Sequence, residues 1–217
     1  APGVTQLFPD GHIINLHPWE HNEVAPALAA AMSTDVPIVA LHLTRPPITI
    51  PDRKFLGMAS HKEASKGAYI IKDYDKNRPL EGVVIIRGTS STNSLVSILP
   101  KIIDEGPNVK IVAAISWGLF MAQNKKYRET IISENEWMDA MIITNGAIKL
   151  MNKWIANQIV EEYSMSPDFD NQWRTGGALD EIIAESKLDA ESVWNGIIKF
   201  TSERARRLEA LHTSIPK

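Results

Sequence analysis

The sharpest chemical pattern in the sequence is His17-Pro18-Trp19-Glu20-His21, which has the H-x-x-E-H spacing of one class of zinc peptidases. In that class two histidines one helical turn apart hold the metal beside a glutamate base. The motif needs a continuous helix, but Pro18 lacks a backbone donor and biases His17 away from helical geometry. Pro18 suits the first position of a helix, which would leave His17 at the end of a strand. The pattern therefore favours a strand-to-helix turn with polar capping residues over a zinc site.

A second candidate is Gly88-Thr89-Ser90-Ser91, which follows the apolar segment Val83–Arg87 and precedes a predicted helix. The free N–H groups and the dipole at such a helix start can hold an anion. The segment has neither the Gly-x-x-x-x-Gly-Lys pattern nor the Gly-x-Gly-x-x-Gly spacing of nucleotide-binding loops. An anion site and a simple helix cap therefore both remain open.

A third candidate is Arg45, which comes just after the predicted strand Pro37–Leu43, at the carboxyl edge where open α/β sheets bind ligands. Its guanidinium could make a bidentate contact with a phosphate or a carboxylate. A surface or interdomain ion pair is the alternative. His42, within the same strand, is expected to be a hydrogen-bonded core residue. No Gly-x-Ser-x-Gly motif is present, and we predict no catalytic residue and no metal ligand in this chain.

Composition excludes several classes of protein. The chain has 217 residues, of which 44% are hydrophobic, and a net charge of −3. It contains no cysteine, which excludes disulfides and thiolate metal sites, and its longest apolar runs are too short to span a bilayer. The basic residues are dispersed apart from Arg204, Arg206 and Arg207, which we expect near a helix C-terminus. We predict a cytoplasmic protein that binds neither nucleic acid nor membrane.

Short apolar runs alternate with helical patterns, which predicts an α/β fold with a mostly parallel sheet and helices on both faces. The first unit is a strand at His12–Leu16, a helix at Glu20–Met32 and the strand Pro37–Leu43. The proline-rich stretch that follows has no apolar periodicity and predicts a linker. Later strands are expected at Ala68–Lys72, Val83–Arg87, Lys110–Ser116 and Ala140–Thr144, with Ile148–Leu150 as a further candidate. Later helices are expected at Thr92–Ile103, Leu119–Gln123, Lys153–Tyr163, Leu179–Ser186 and Ala190–Leu211, the last capped by Asp189.

These patterns divide the chain into a partial α/β unit at 1–45, a linker at 46–62 and an α/β domain at 63–217. Two strands and one helix cannot bury enough surface to be stable alone. We therefore expect the first unit to pack on another chain or on further sequence.

The first unit resembles the end of the pyrimidine-binding domain of transketolases, which closes with a strand, an Arg-Pro-Ala-Asp-x-Asn-Glu turn, a helix and a strand ending in Ser-Arg-Gln. The corresponding residues are His17-Pro18-Trp19-Glu20-His21-Asn22-Glu23 and Leu43-Thr44-Arg45. Pro18, Asn22, Glu23 and Arg45 match the family's pattern. His17 and Pro46 depart from it, in place of an arginine and a glutamine.

The rest of the chain is similar to the C-terminal domain of the same family, with the matching pieces in the same order. Glu63–Tyr69 is similar to the start of that domain, and Gly88–Leu95 to its Gly-Ser-Glu-Val-Ser-Leu turn. Ser116–Phe120, with Gln123 and Tyr127-Arg128-Glu129, is similar to a Ser-Trp-Glu-x-Phe, Gln and Tyr-Arg segment. Trp173–Gly177 stands where the family has Phe-Gly-x-Ser-Gly. The resemblance therefore identifies the C-terminal portion of a transketolase.

The resemblance implies an enzyme that moves a two-carbon ketol unit between sugar phosphates, with thiamine diphosphate and magnesium in the complete protein. It implies that Arg45 contacts the substrate phosphate. The family's cofactor motifs lie upstream of the matching segment, so we expect no cofactor on this chain alone and no activity without the N-terminal portion, in a homodimer of the whole. A 2-oxo acid dehydrogenase beta-type component, deoxyxylulose-phosphate synthase, and a non-catalytic assembly or anion-binding module are the alternatives.

Overall fold

The computed structural model describes residues 2–44, 47–172, 174 and 176–214. The strands are β1 (Ile13–Leu16), β2 (Ile38–Leu41), β3 (Ala68–Lys72), β4 (Val83–Arg87), β5 (Lys110–Ala114) and β6 (Ala140–Thr144). The helices are α1 (Pro2–Thr5), α2 (Val24–Met32), α3 (Thr89–Ser97), α4 (Leu99–Glu105), α5 (Trp117–Ala122), α6 (Lys125–Ile131), α7 (Glu134–Met138), α8 (Gln158–Glu162), α9 (Leu179–Glu185), α10 (Ala190–Ser202) and α11 (Arg204–Ser214). Short 3-10 helices span His21–Glu23, His61–Lys66 and Ile148–Trp154.

The main sheet has four strands in the order β3-β5-β4-β6, and a separate two-stranded sheet pairs β1 with β2. Strand β4 runs parallel to both β5 and β6, whereas β3 runs antiparallel to β5. Strands β1 and β2 are also parallel, with Ile13 opposite Ile38. The predicted mixed α/β fold with a mostly parallel sheet is therefore confirmed.

The main sheet is buried on both faces because consecutive residues of its strands are apolar. Val84 and Ile86 of β4 contribute to one core, which also contains side chains from α3, α4 and α10. Val83 and Ile85 contribute to the other core, with side chains from α5, α6 and α8. Each fully buried aliphatic side chain contributes about 1.5–3 kcal/mol. The runs of β-branched residues thus determine a sheet that lies between two layers of helices.

The β1-β2 unit attaches to the main sheet through the end of β1. The His17 N–H donates to the carbonyl oxygen of Ile115 at 2.8 Å, and Ile14 lies in the same core as β5. The outer side of this unit leaves large apolar side chains in solvent: Met32 is 71% exposed, Leu43 61% and Ile38 39%. The division of the chain at 45 and 62 stays a prediction.

Several predicted elements differ from the structure. Ile148–Leu150 is wrong as a strand, because it lies in the 3-10 helix Ile148–Trp154. The predicted helix Thr92–Ile103 is two helices, α3 and α4, and the predicted helix Lys153–Tyr163 is represented by the end of that 3-10 helix and the short α8. Across the described part of the chain, no helix combines the length and apolarity needed to cross a membrane.

The long C-terminal helix is also divided, at Glu203, into α10 and α11. Asp189 caps α10 as predicted, since its side chain accepts from the N–H of Ser192. Arg204 and Arg207 begin α11 rather than end a helix, so the expected C-terminal position is wrong. Both guanidiniums bind the carboxylate of Asp139, at 2.7 Å each, and this pairing offsets the unfavourable position of positive charge at a helix start.

Gly67 joins the 3-10 helix His61–Lys66 to β3 at a place without room for a side chain. Its φ is 84°, and a Cβ built there would lie 2.2 Å from the backbone nitrogen of Phe120 and 2.4 Å from the Ser116 carbonyl oxygen. The Gly67 carbonyl accepts from the N–H groups of Ile115 and Ser116. The close approach of these backbones fixes where β3 begins beside β5.

We expect Gly67→Ala to lower the free energy of unfolding by about 3 kcal/mol or more, since left-handed strain and a clash with backbone atoms add. Gly57→Ala is the matched control, because Gly57 also has a positive φ of 64° but nothing within 4 Å of its Cβ position. Gly57→Ala should lower the free energy of unfolding by about 1 kcal/mol, from left-handed backbone strain alone. Urea denaturation of both variants measures the difference in their free energies of unfolding. Equal losses of stability would show that the close backbone approach at Gly67 does not add to the cost of the substitution.

Candidate functional site

Two histidines meet where β1 and β2 end. His17 follows β1 and His42 follows β2, and parallel pairing brings both to the same edge. Their rings stack with centroids 4.4 Å apart and planes 7° from parallel. His42 Nε2 lies 3.0 Å from Asn15 Oδ1. His42 is therefore hydrogen-bonded as predicted, but it is half-buried at the edge of the unit rather than in the core.

Arg87, the last residue of β4, brings a buried positive charge close to these histidines. Its side chain is only 6% exposed, and its Nη1 donates to the carbonyl oxygen of Leu150 at 2.9 Å. Burial lowers the pKa of Arg87 to about 10, so the group stays protonated at neutral pH. Burial and then the Arg87 charge hold the pKa of His17 well below its usual value, and the same two causes lower the pKa of His42.

Gly88 forms the turn from β4 into α3, and Thr89–Ser91 are the first residues of that helix, which begins three residues earlier than predicted. Gly88 is the N-cap residue with φ 100°, and it provides no side-chain cap for the first N–H groups of the helix. A Cβ at Gly88 would lie 1.7 Å from Asn145 Oδ1, so the loop after β6 packs directly on this turn. The Ser91 hydroxyl donates to the Arg87 carbonyl oxygen at 2.7 Å. The anion itself stays a prediction.

Arg45 lies outside the described residues, as does Trp173 of the late glycine motif. The neighbouring Thr44 is described, and its hydroxyl donates to Thr89 Oγ1 at 2.8 Å. The structure therefore brings the end of β2 against the start of α3. In the sequence, the end of β2 and the start of α3 are two separate candidate ligand sites.

The side chains of the H-x-x-E-H pattern do not come together as a group of metal ligands in the described structure. Glu20 caps the 3-10 helix His21–Glu23, accepting from the N–H of Asn22, as the capping interpretation predicts. The helical segment begins at His21 rather than at Pro18, so the expected position of Pro18 is wrong. Nowhere in the described ranges do three or more His, Asp or Glu side chains gather in a way that could hold a metal ion.

Glu20 belongs instead to a buried charge network that sequence reasoning missed. Arg53 Nη2 lies 2.9 Å from Glu20 Oε1 and 2.8 Å from Glu23 Oε1. Tyr69 donates its hydroxyl to Glu23 and accepts from Trp19 Nε1 at 2.8 Å and from Arg53 Nη1 at 3.2 Å. The network joins the turn after β1, the predicted linker and β3. We name these five residues the junction network.

The junction network is almost fully removed from water. The side chains of Glu20 and Glu23 are 0% exposed and that of Arg53 is 9% exposed. Burial raises the pKa of Glu23, while its hydrogen bonds from Tyr69 and the Trp19 N–H and the charge of Arg53 oppose that rise. Burial and the charge of Glu23 hold the pKa of Tyr69 well above its usual value, which keeps its hydroxyl as a donor. Two carboxylates can be buried here because one guanidinium faces both.

We expect Arg53→Met to lower the free energy of unfolding by about 3–5 kcal/mol at pH 7, because it leaves two buried carboxylates without their cation. Arg78→Met is the matched control: the Arg78 side chain is 53% exposed and lies 3.8 Å from Glu81, so its loss should cost under about 1 kcal/mol. Chemical denaturation at pH 7 provides the comparison. Similar stabilities of the two variants would contradict a structural role for the network.

Comparison with known proteins identifies several that are similar to this chain in sequence. No protein-family model matches the chain. Transketolase 7 of Craterostigma plantagineum is 31% identical over 125 residues, which cover 56% of this chain and 17% of the relative. A transketolase of Geobacillus stearothermophilus is 30% identical over 118 residues, covering 54% of this chain and 17% of the relative.

Solved structures extend the likeness to nearly the whole fold. A variant of the Pichia stipitis transketolase has a TM-score of 0.66 at 17% identity, covering 92% of this chain and 26% of that one. The Leishmania mexicana transketolase has a TM-score of 0.65 at 18% identity, covering 94% of this chain and 27% of that one. Another Pichia stipitis structure, also with a TM-score of 0.66, is a complex with sedoheptulose-7-phosphate.

This chain therefore spans less than a third of the length of the transketolases to which it is compared. The resemblance noted in the sequence is confirmed: the chain is similar in sequence to transketolases over somewhat more than half of its residues, and it has the fold of about a quarter of a transketolase, consistent with the C-terminal portion.

Proposed function

We propose that this chain is the C-terminal part of a thiamine-diphosphate-dependent, transketolase-like enzyme that transfers a two-carbon ketol unit between sugar phosphates. The observation that carries the proposal is the 31% identity to Transketolase 7 over 125 residues. The motif pieces also occur in this chain in the family's order. The similarity in fold over 92% of the chain agrees with this assignment but supports architecture alone.

The exposed side of the β1-β2 unit supports a role within a larger assembly. This sheet has two strands, β2 leaves Ile38 at 39% exposure, and α2 leaves Met32 at 71% exposure. A two-stranded parallel sheet normally continues into further strands, which would cover such side chains. We propose that the N-terminal portion of the enzyme, in the same precursor or as a separate chain, packs here, and that the whole is a cytoplasmic homodimer.

Thiamine diphosphate and magnesium would belong to the complete enzyme. When bound, the cofactor supplies the ylid that carries the ketol unit. The described part of this chain presents no His, Asp or Glu cluster suited to a metal, and we assign none of its residues to the cofactor. Its contribution would be one wall of the sugar-phosphate site and the C-terminal domain.

Within that wall we propose that Arg45 contacts the substrate phosphate. Support comes from the match of Arg45 to the arginine of the family's Ser-Arg-Gln ending, and from the place of Thr44 against Thr89 at the start of α3. A relative has been solved in complex with a sugar phosphate, sedoheptulose-7-phosphate. The N–H groups at Gly88–Ser91 would then lie near the same edge as a second set of donors for an anion.

We expect ketol transfer from the complete enzyme and none from this chain alone, each supplied with thiamine diphosphate and magnesium. A ketose phosphate donor and an aldose phosphate acceptor provide the assay. Activity of the isolated chain would contradict the need for the N-terminal portion. An inactive complete enzyme that is folded and cofactor-loaded would contradict the proposed reaction.

We expect Arg45→Ala in the complete enzyme to raise KM about tenfold or more for a phosphorylated acceptor, because a charge-assisted contact is lost. KM for the unphosphorylated sugar should change less than about twofold, since that substrate never made the contact. Arg78→Ala is the control, because Arg78 is an exposed arginine near Glu81. Equal effects on both acceptors would indicate a structural role for Arg45.

A further inference from the structure

Arg87 carries a buried charge that pairs with no carboxylate in the described part of the chain. At 6% exposure Arg87 is more enclosed than Arg53, which is 9% exposed and faces two carboxylates. Among residues 2–44, 47–172, 174 and 176–214, Arg87 forms no ion pair, and its one side-chain hydrogen bond uses Nη1. The Nε and Nη2 donors are left for another acceptor. A buried cation is costly unless an anion or several acceptors face it.

Besides the Leu150 carbonyl, which accepts from Arg87, several groups near this residue are donors or can become donors. His17 and His42 lie close enough for the Arg87 charge to affect both. Gly146 lies beside the guanidinium, since its Cβ position is 3.8 Å from Arg87 Nη2, and the neighbouring Asn145 packs on Gly88. At Gly88 the first N–H groups of the nine-residue helix α3 have no side-chain cap. Solvent reaches this place, because Thr44 is exposed and His42, Gly88 and Asn145 are half-buried.

We propose that this edge, formed by His17, His42, Arg87, Gly88 and Thr89, binds the phosphate group of a small phosphorylated molecule. The two unused guanidinium donors match two oxygens of a phosphate, and the backbone N–H groups of α3 can reach a third. The helix dipole adds to the attraction. The bound dianion would neutralise Arg87, the charge that the fold itself leaves unpaired. The site needs only residues of this chain, so it can exist whether or not the complete protein transfers ketol units.

The test uses the whole chain and follows the imidazole signals of His17 and His42 by NMR at a fixed pH during titration with inorganic phosphate. We expect saturable shifts of both signals, and no such shifts with chloride at equal ionic strength. Ribose 5-phosphate and ribose form two further arms. Tighter binding of ribose 5-phosphate than of inorganic phosphate identifies a phosphorylated metabolite as the ligand. Equal binding of the two identifies free phosphate as the ligand. Shifts of the histidine signals with ribose alone would overturn the proposal.

Arg87→Gln should weaken phosphate binding by about tenfold or more, because the buried charge and its fork of donors are lost. Arg78→Gln, at the exposed arginine near Glu81, should bind phosphate within about twofold of the unaltered chain. If Arg87→Gln does not fold, the titration of the unaltered chain still decides, since absence of saturable shifts at His17 and His42 overturns the proposal. Ketol-transfer assays are separate, so failure of the proposed reaction leaves this result unaffected.

Discussion

The arrangement of this molecule depends on one buried cation facing two buried carboxylates. Arg53 lies between Glu20 and Glu23, and Tyr69 and Trp19 complete the hydrogen bonds. None of these charges could be buried alone. The free-energy cost of removing a single charge from water would exceed the free energy gained from a contact with an uncharged group. The three segments that carry them must therefore come together or not at all. This requirement fixes the turn after β1 against β3, although the two lie about fifty residues apart in the chain.

The position of the junction network determines what lies at the carboxyl edge. With the turn after β1 held against the main sheet, His17 is bonded to Ile115 and stacks on His42. The parallel strand β4 ends at the same place with Arg87 and leads into α3. Parallel strands send their carboxyl ends to one edge, and ligand groups in open α/β sheets collect there. The two buried arginines therefore differ: Arg53 faces two carboxylates, whereas Arg87 pairs with no carboxylate in the described part of the chain, and we propose that it binds an external anion.

The comparison with transketolases shows which features persist in this fold. Identity to the solved structures is 17–18%, yet the fold is shared over more than nine-tenths of the chain. A sheet buried on both faces requires apolar, β-branched strands and helices with one apolar side, and many sequences satisfy that pattern. Functional groups at the edge are less constrained by packing. One departure from the family's pattern, His17, lies at that edge.

The sequence by itself determined the α/β class, the strands β1 to β6 within a few residues, the cap at Asp189 and the turn at Gly88 between β4 and a helix. These follow from periodicity and local hydrogen bonding, which act over a few residues. It also favoured a strand-to-helix turn over the zinc interpretation, because Pro18 is a local constraint. The break at Glu203 and the 3-10 helix at Ile148–Trp154 were not predictable, since Asp139 and the packing of Trp154 act from distant parts of the chain.

Only the tertiary structure decided which charges meet. Arg53 stands in a proline-rich stretch with no periodic signal, and nothing nearby in sequence indicates that it faces Glu20 and Glu23 or that Tyr69 joins them. Arg87 gave a faint signal, as a charge that directly follows four apolar residues, but whether a distant carboxylate neutralises it depends on the packed fold. Pairing between distant charges is set by the topology of the folded chain and by which side chains are buried together. That is information the linear pattern of residues does not contain.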